Sequence, residues 1–97
     1  MSVRWAALAR RRLVEIHDHI AADAPERARA FVTRLIDATE QLEAYPFSGA
    51  LLPEDPAYRQ LVVHGYRIVY RIAERAIFVA TIVARHGGDK GSPQTDA

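Results

Sequence analysis

The spacing of hydrophobic and polar positions changes twice along this chain, and each change marks a new kind of element. In SVRW, residues 2–5, apolar and polar positions alternate, so Val3 and Trp5 share one face of a short strand. From Ala6 the spacing lengthens. Ala9, Leu13, Ile16 and Ile20 fall at i, i+4, i+7 and i+11, one stripe of an amphipathic helix, with Arg10, Arg11, Glu15 and Asp18 off it. AADAPERA then breaks and restarts the helix: Pro25 suits a first turn, Asp23 can cap, and Glu26 sits at the positive end of the dipole. The second helix is predicted to run to about Tyr45, with Ala28, Phe31, Val32, Leu35, Thr39 and Leu42 on one side. It must stop before Pro46, because proline drives its predecessor out of the helical region. Two helices joined by so short a break predict an antiparallel hairpin.

PFSGALLPEDPAY carries three prolines and a glycine and is predicted to be a loop crossing to a sheet. The period then shortens to two in YRQLVVH, YRIVYRI and AIFVATIVA, divided by Gly65 and the polar turn AER. Dividers this short predict two hairpins and an antiparallel meander. The fold class expected is therefore α+β in two layers: a short N-terminal strand and a helical hairpin packed on a small antiparallel sheet. Residues 1–87 form one domain, and residues 88–97, GDKGSPQTDA, are expected to be a flexible tail with nothing apolar to anchor it.

The strand YRIVYRI places Tyr66, Ile68, Tyr70 and Ile72 on one face and Arg67, Val69 and Arg71 on the other. The first set is the natural core side, so both arginines stand on the face the helices leave uncovered. Two readings follow: the solvated side of a half-buried sheet, or a cationic surface for an anion, reinforced by Arg59 and Arg85 at the ends of neighbouring strands. His86, directly after Arg85, carries an imidazole, the side chain whose ordinary pKa lies nearest neutrality, and could serve as a general acid or base on that face.

Composition narrows the chemistry. Ninety-seven residues suit one domain with a thin core, so a partner that adds apolar contact would matter. The chain has no cysteine, which excludes disulfides, thiolate metal sites and thiol nucleophiles. No apolar run approaches the roughly 20 residues that span a bilayer, and MSVRWAALARRR has its charges in the wrong order for a signal peptide. A cytoplasmic protein without a membrane partner is expected. The net charge of +1 conceals polarity: residues 1–14 carry Arg4, Arg10, Arg11 and Arg12 and no acid, residues 15–58 hold nine acidic and three basic groups, and residues 59–97 are again basic. In EIHDHI, His17 and His19 face nearly opposite ways on a helix and cannot share an ion, so no metal site is predicted. HGGDKGS lacks the spacing of a phosphate loop, and no serine has a G-x-S-x-G context. No cofactor is implied.

The order of elements, with DAPERA between the helices, YPFSG after the second, then GYRIVYRI and a last strand ending in ARHG, resembles the RelE/ParE superfamily of toxins from bacterial type II toxin–antitoxin pairs, over about Val3 to Gly87. The resemblance implies a toxin neutralised in a hetero-oligomer by a cognate antitoxin, whose disordered C-terminal part folds onto it over the helical hairpin and near the sheet. Two branches imply different targets. The ParE-like branch poisons DNA gyrase and is not an enzyme acting on RNA; the RelE-like branch is a metal-independent, ribosome-dependent mRNA endoribonuclease. Arg67 matches a strand arginine of the nuclease branch, and Arg85 or His86 falls where that branch often has another functional group. That branch usually carries an aromatic residue near its C-terminus, whereas the tail after His86 has none. The HG at residues 86 and 87 looks more like the ParE-like ending, although Gly88 stands where that branch often has arginine. The resemblance thus favours a gyrase inhibitor with Arg59, Arg67, Arg71, Arg85 and His86 on the face for target or antitoxin. Were the chain a nuclease, Arg67 and Arg85 would stabilise the phosphorane charge and His86 would move a proton. A non-toxic copy that only binds antitoxin is the third possibility.

Overall fold

Seven regular elements follow one another in the computed structural model, which describes residues 1–85. They are β1 (Ser2–Trp5), α1 (Ala7–Ala21), α2 (Pro25–Glu40), β2 (Ala50–Leu51), β3 (Arg59–Val63), β4 (Tyr66–Ala73) and β5 (Ala76–Ala84), with a 3₁₀ turn at Gln41–Glu43. The strands form one sheet in the order β1-β5-β4-β3-β2. As the turn chemistry predicted, β3–β4 and β4–β5 are antiparallel hairpins. Each closes through two residues of positive φ, His64 and Gly65 in the first and Glu74 and Arg75 in the second, the geometry that matches strand twist.

The sheet is mixed rather than purely antiparallel. β1 pairs in parallel with β5, Val3 opposite Ile77 and Trp5 opposite Val79. α1 starts two residues after β1 ends, so no hairpin partner is available, and the strand instead closes the edge that β5 would leave open. At the other edge β2, which lies inside the predicted loop, pairs with β3. α2 ends at Glu40 and tightens into the 3₁₀ turn, so regular helix stops short of Tyr45. Asp23 does not cap α2: the cap position is Ala24, and no side chain bonds the first turn. The tail, residues 88–97, and His86 lie outside the described residues.

The helices cover one face of the sheet. Ala9 and Ile16 of α1 and Leu35 of α2 pack with Ile68, Val79 and Ile82, and Tyr66 joins from the periphery. Leu42, Tyr70 and Ile77 form a second cluster with Val3, Leu61 and Ile72 around it. Val79 and Ile82 are three residues apart, an odd interval that alternation would send to opposite faces. An irregularity resolves this: Val69 pairs Thr81 while Tyr70 pairs Val79, leaving Ala80 extra on β5. The extra residue turns both Val79 and Ile82 toward the helices and leaves Phe78 on the far side.

Candidate functional site

The uncovered face is assembled from four adjacent strands. Paired residues share a face, so Arg67 and Arg71 of β4 lie with Val83 and Phe78 of β5, with Val62 of β3, and with Arg4 of β1 opposite Phe78. The guanidinium of Arg71 sits 4.8 Å from the centre of the Phe78 ring, and that of Arg4 sits 5.9 Å from the same ring. Two fixed positive charges therefore share one aromatic platform, each drawn by the ring's negative π-face. Along β4, Arg67 donates through Nη1 to Gln60 Oε1 at 3.2 Å, and Glu54 Oε2 stands 3.9 Å from the same nitrogen. Its Nε is buried without a hydrogen-bond partner among the described residues.

The other expected site residues are placed differently. Arg59 pairs with Tyr70 and so belongs to the opposite face from Arg67. Its Nη1 donates to the carbonyls of Gly49 at 2.7 Å and Phe47 at 3.4 Å, and its guanidinium lies 5.0 Å from the centre of the Phe47 ring. Arg85 follows β5 as an exposed turn residue, its backbone N–H donating to the carbonyl of Gly65 at 2.8 Å. The structure thus groups Arg67 and Arg71, keeps Arg85 at the end of the neighbouring strand, and separates Arg59. Arg4 and Phe78 join the group although the sequence reading passed over both. On α1, Glu15 bonds Arg12 at 3.1 Å and His17 bonds the adjacent Asp18 at 3.1 Å, and no group of three potential metal ligands occurs among the described residues.

Across the helical hairpin run two adjoining open depressions that share His19. One, of ≈ 360 Å³, lies between α1 and the sheet against Arg12, Glu15, Ile16, Tyr66 and Val83. The other, of ≈ 270 Å³, is walled by Ile20, Asp23, Arg27 and Phe31. Among the described residues no helix is long and apolar enough to cross a membrane.

A helical hairpin packed on one face of a five-stranded mixed sheet is the fold of the small RelE/ParE-type toxins. A family model described as "ParE toxin of type II toxin-antitoxin system, parDE" matches residues 3–87, and the chain belongs to that family. A curated relative from Sinorhizobium fredii, named "Putative toxin Y4kP", is 36% identical over 86 residues, covering 87% of this chain and 88% of the relative. Among solved structures, a chain of the chromosomal ParDE system from P. aeruginosa superposes with a TM-score of 0.77 at 26% identity, covering 87% of this chain and 95% of that one. A chain of the toxin–antitoxin complex RelBE2 from Mycobacterium tuberculosis superposes with a TM-score of 0.65 at 20% identity over 87% of this chain and 96% of that one, a likeness of fold.

Proposed function

We propose that this toxin is held inactive by a cognate antitoxin and acts on DNA gyrase. One observation carries the choice of target: the uncovered face presents fixed charges, with Arg4 and Arg71 set on the Phe78 ring and Arg67 farther along β4. Tyr66 and Tyr70 join the two core clusters under the helices, and His64 lies in a turn against Phe31. A metal-independent nuclease needs an acid and a base beside the scissile phosphate, whereas a face of fixed charges and one aromatic ring suits binding to an anionic partner. The match of the ParE model to residues 3–87 supports the same branch. The two depressions along the hairpin support an antitoxin segment seated over α1 and α2, with its acidic side chains meeting Arg12 or Arg27.

The test pairs two assays. Purified toxin added to gyrase is expected to block supercoiling or trap cleaved DNA, and co-purified antitoxin is expected to relieve this. Primer extension on mRNA after induction is expected to show no new ends. Normal supercoiling together with discrete cuts inside translated codons would instead assign the ribosome-dependent nuclease activity.

A further inference from the structure

A third surface adjoins the arginine face, which Glu54 reaches with its Oε2 3.9 Å from Arg67 Nη1, and shares no residue with the walls of the hairpin depressions. Between Arg34 and Arg59 the chain has no basic residue, and it carries Asp37, Glu40, Glu43, Glu54 and Asp55, all exposed. Within this acidic stretch Tyr45, Phe47 and Leu51 are 69%, 66% and 53% exposed, three of the most exposed large apolar side chains in the protein. Seven residues of chain thus present two aromatic rings and a leucine to solvent.

The backbone that carries these side chains is held rather than loose. The buried Tyr70 hydroxyl accepts from Gly49 N–H at 2.9 Å and donates to the Pro46 carbonyl at 2.9 Å. From the other side Arg59 donates to the carbonyls of Phe47 and Gly49 and lies over the Phe47 ring. One buried phenol and one guanidinium are thereby spent on fixing a loop whose large side chains point outward. Ordering apolar groups in water gives the isolated chain nothing, but it lowers the entropy cost of docking, as in the rigid aromatic anchors of interfaces. β2, inside this loop, is also an edge strand, with β3 on one side and no strand on the other among the described residues. Such an edge offers backbone donors and acceptors to an extended peptide.

We infer that the loop from Tyr45 to Leu51 is a docking surface for an extended, basic and apolar segment of a partner protein other than the antitoxin. Glu40, Glu43 and Asp55, which flank the loop in sequence, outnumber the one cation set against it, Arg59 over Phe47, and that excess selects a basic segment, opposite to what the arginine face selects. The tail of this chain does not fit, because residues 86–97 contain Asp89 and Asp96 against Lys90 and nothing apolar larger than proline or alanine. The distinction from the antitoxin rests on the proposed toxin–antitoxin pairing; the surface itself does not.

The probes are two fluorescein-labelled hexapeptides, alternating lysine–valine and alternating glutamate–valine, titrated into the full chain by anisotropy and by amide NMR shifts. The basic peptide is expected to shift Gly49, Ala50 and Leu51, and Phe47→Ser or Leu51→Ser to weaken it about tenfold while thermal unfolding stays near that of the parent. Equal shifts at these amides from the acidic peptide, or shifts from the basic peptide only elsewhere, would overturn the assignment. So would a dimer abolished by Phe47→Ser that leaves no peptide response, since the occupant would then be a second copy. Repeating the titration on the toxin–antitoxin complex should preserve the response; its loss there, with binding retained by free toxin, would return the surface to the antitoxin.

Discussion

Replacing Tyr70 by phenylalanine removes a single oxygen from the core and leaves the ring's packing against Leu42 and Ile77 in place. What changes is the loop that follows the 3₁₀ turn. The hydroxyl is the acceptor for the buried Gly49 N–H and the donor to the Pro46 carbonyl, both at 2.9 Å. Pro46 is only partly buried, so water can replace its donor, whereas the Gly49 N–H has no route to solvent. An unmet buried donor costs about 1–3 kcal/mol, which puts Tyr70→Phe near 2 kcal/mol. For a domain of this size each kcal/mol moves Tm by about 4–8 °C, so the variant should melt roughly 8–16 °C lower, with an unchanged urea m-value. Circular dichroism followed through heat and urea measures both. A fall of less than about 3 °C would show that the hydroxyl does not hold the loop, and the rigid-loop reasoning would fail with it. Gly49→Ala supplies an independent check, because a Cβ there would stand 2.6 Å from Tyr70 Oη, 2.8 Å from Tyr70 Cε1 and 2.7 Å from the Gln60 carbonyl. Since the hydroxyl accounts for part of that clash, the alanine should cost less in the phenylalanine background than alone, a coupling a double-mutant cycle reads directly.

Three further outcomes are expected. Leu35→Ala, at a fully buried position where α2 meets Ile68 and Val79, should cost about 2–5 kcal/mol in urea unfolding; a loss below 1 kcal/mol would contradict the packing described. Arg67→Met removes a charge whose Nε is buried and unpaired, so stability should hold within about 0.5 kcal/mol or rise while toxicity on induction falls; a large loss of stability would make Arg67 a structural residue instead. Glu74→Asn with Arg75→Gly should raise stability by about 1 kcal/mol, because φ of 53° and 64° at these positions strains ordinary side chains, and an unchanged Tm would argue against the turn geometry.

The local elements were legible because their signals are local. A stripe at helical spacing through Ala9, Leu13, Ile16 and Ile20, a proline at residue 25, and apolar runs divided at Gly65 and Glu74 each act over a few residues, and the helices and hairpins form where they indicate. The grouping of Arg67 with Arg71 was legible for the same reason, since strand alternation needs only the strand. Three features required the tertiary structure. β1 lies beside β5 through a parallel pairing of residues more than seventy positions apart, a choice governed by which sheet edge is left open, so Arg4 gave no sign that it would face Phe78. Phe78 itself could not be placed, because plain alternation from Ile82 sends it to the core, and only the extra residue at Ala80 moves it to the arginine face. Arg59 looked like a partner of Arg67 at the end of a strand, yet register against Tyr70 turns it to the other side, where Tyr70 and Arg59 together fix the loop at Gly49. The sequence by itself thus determined the elements and the polarity of each strand, whereas register, bulge and edge pairing decided which charges meet. Those depend on contacts between distant residues, whose closure only the packed sheet makes favourable.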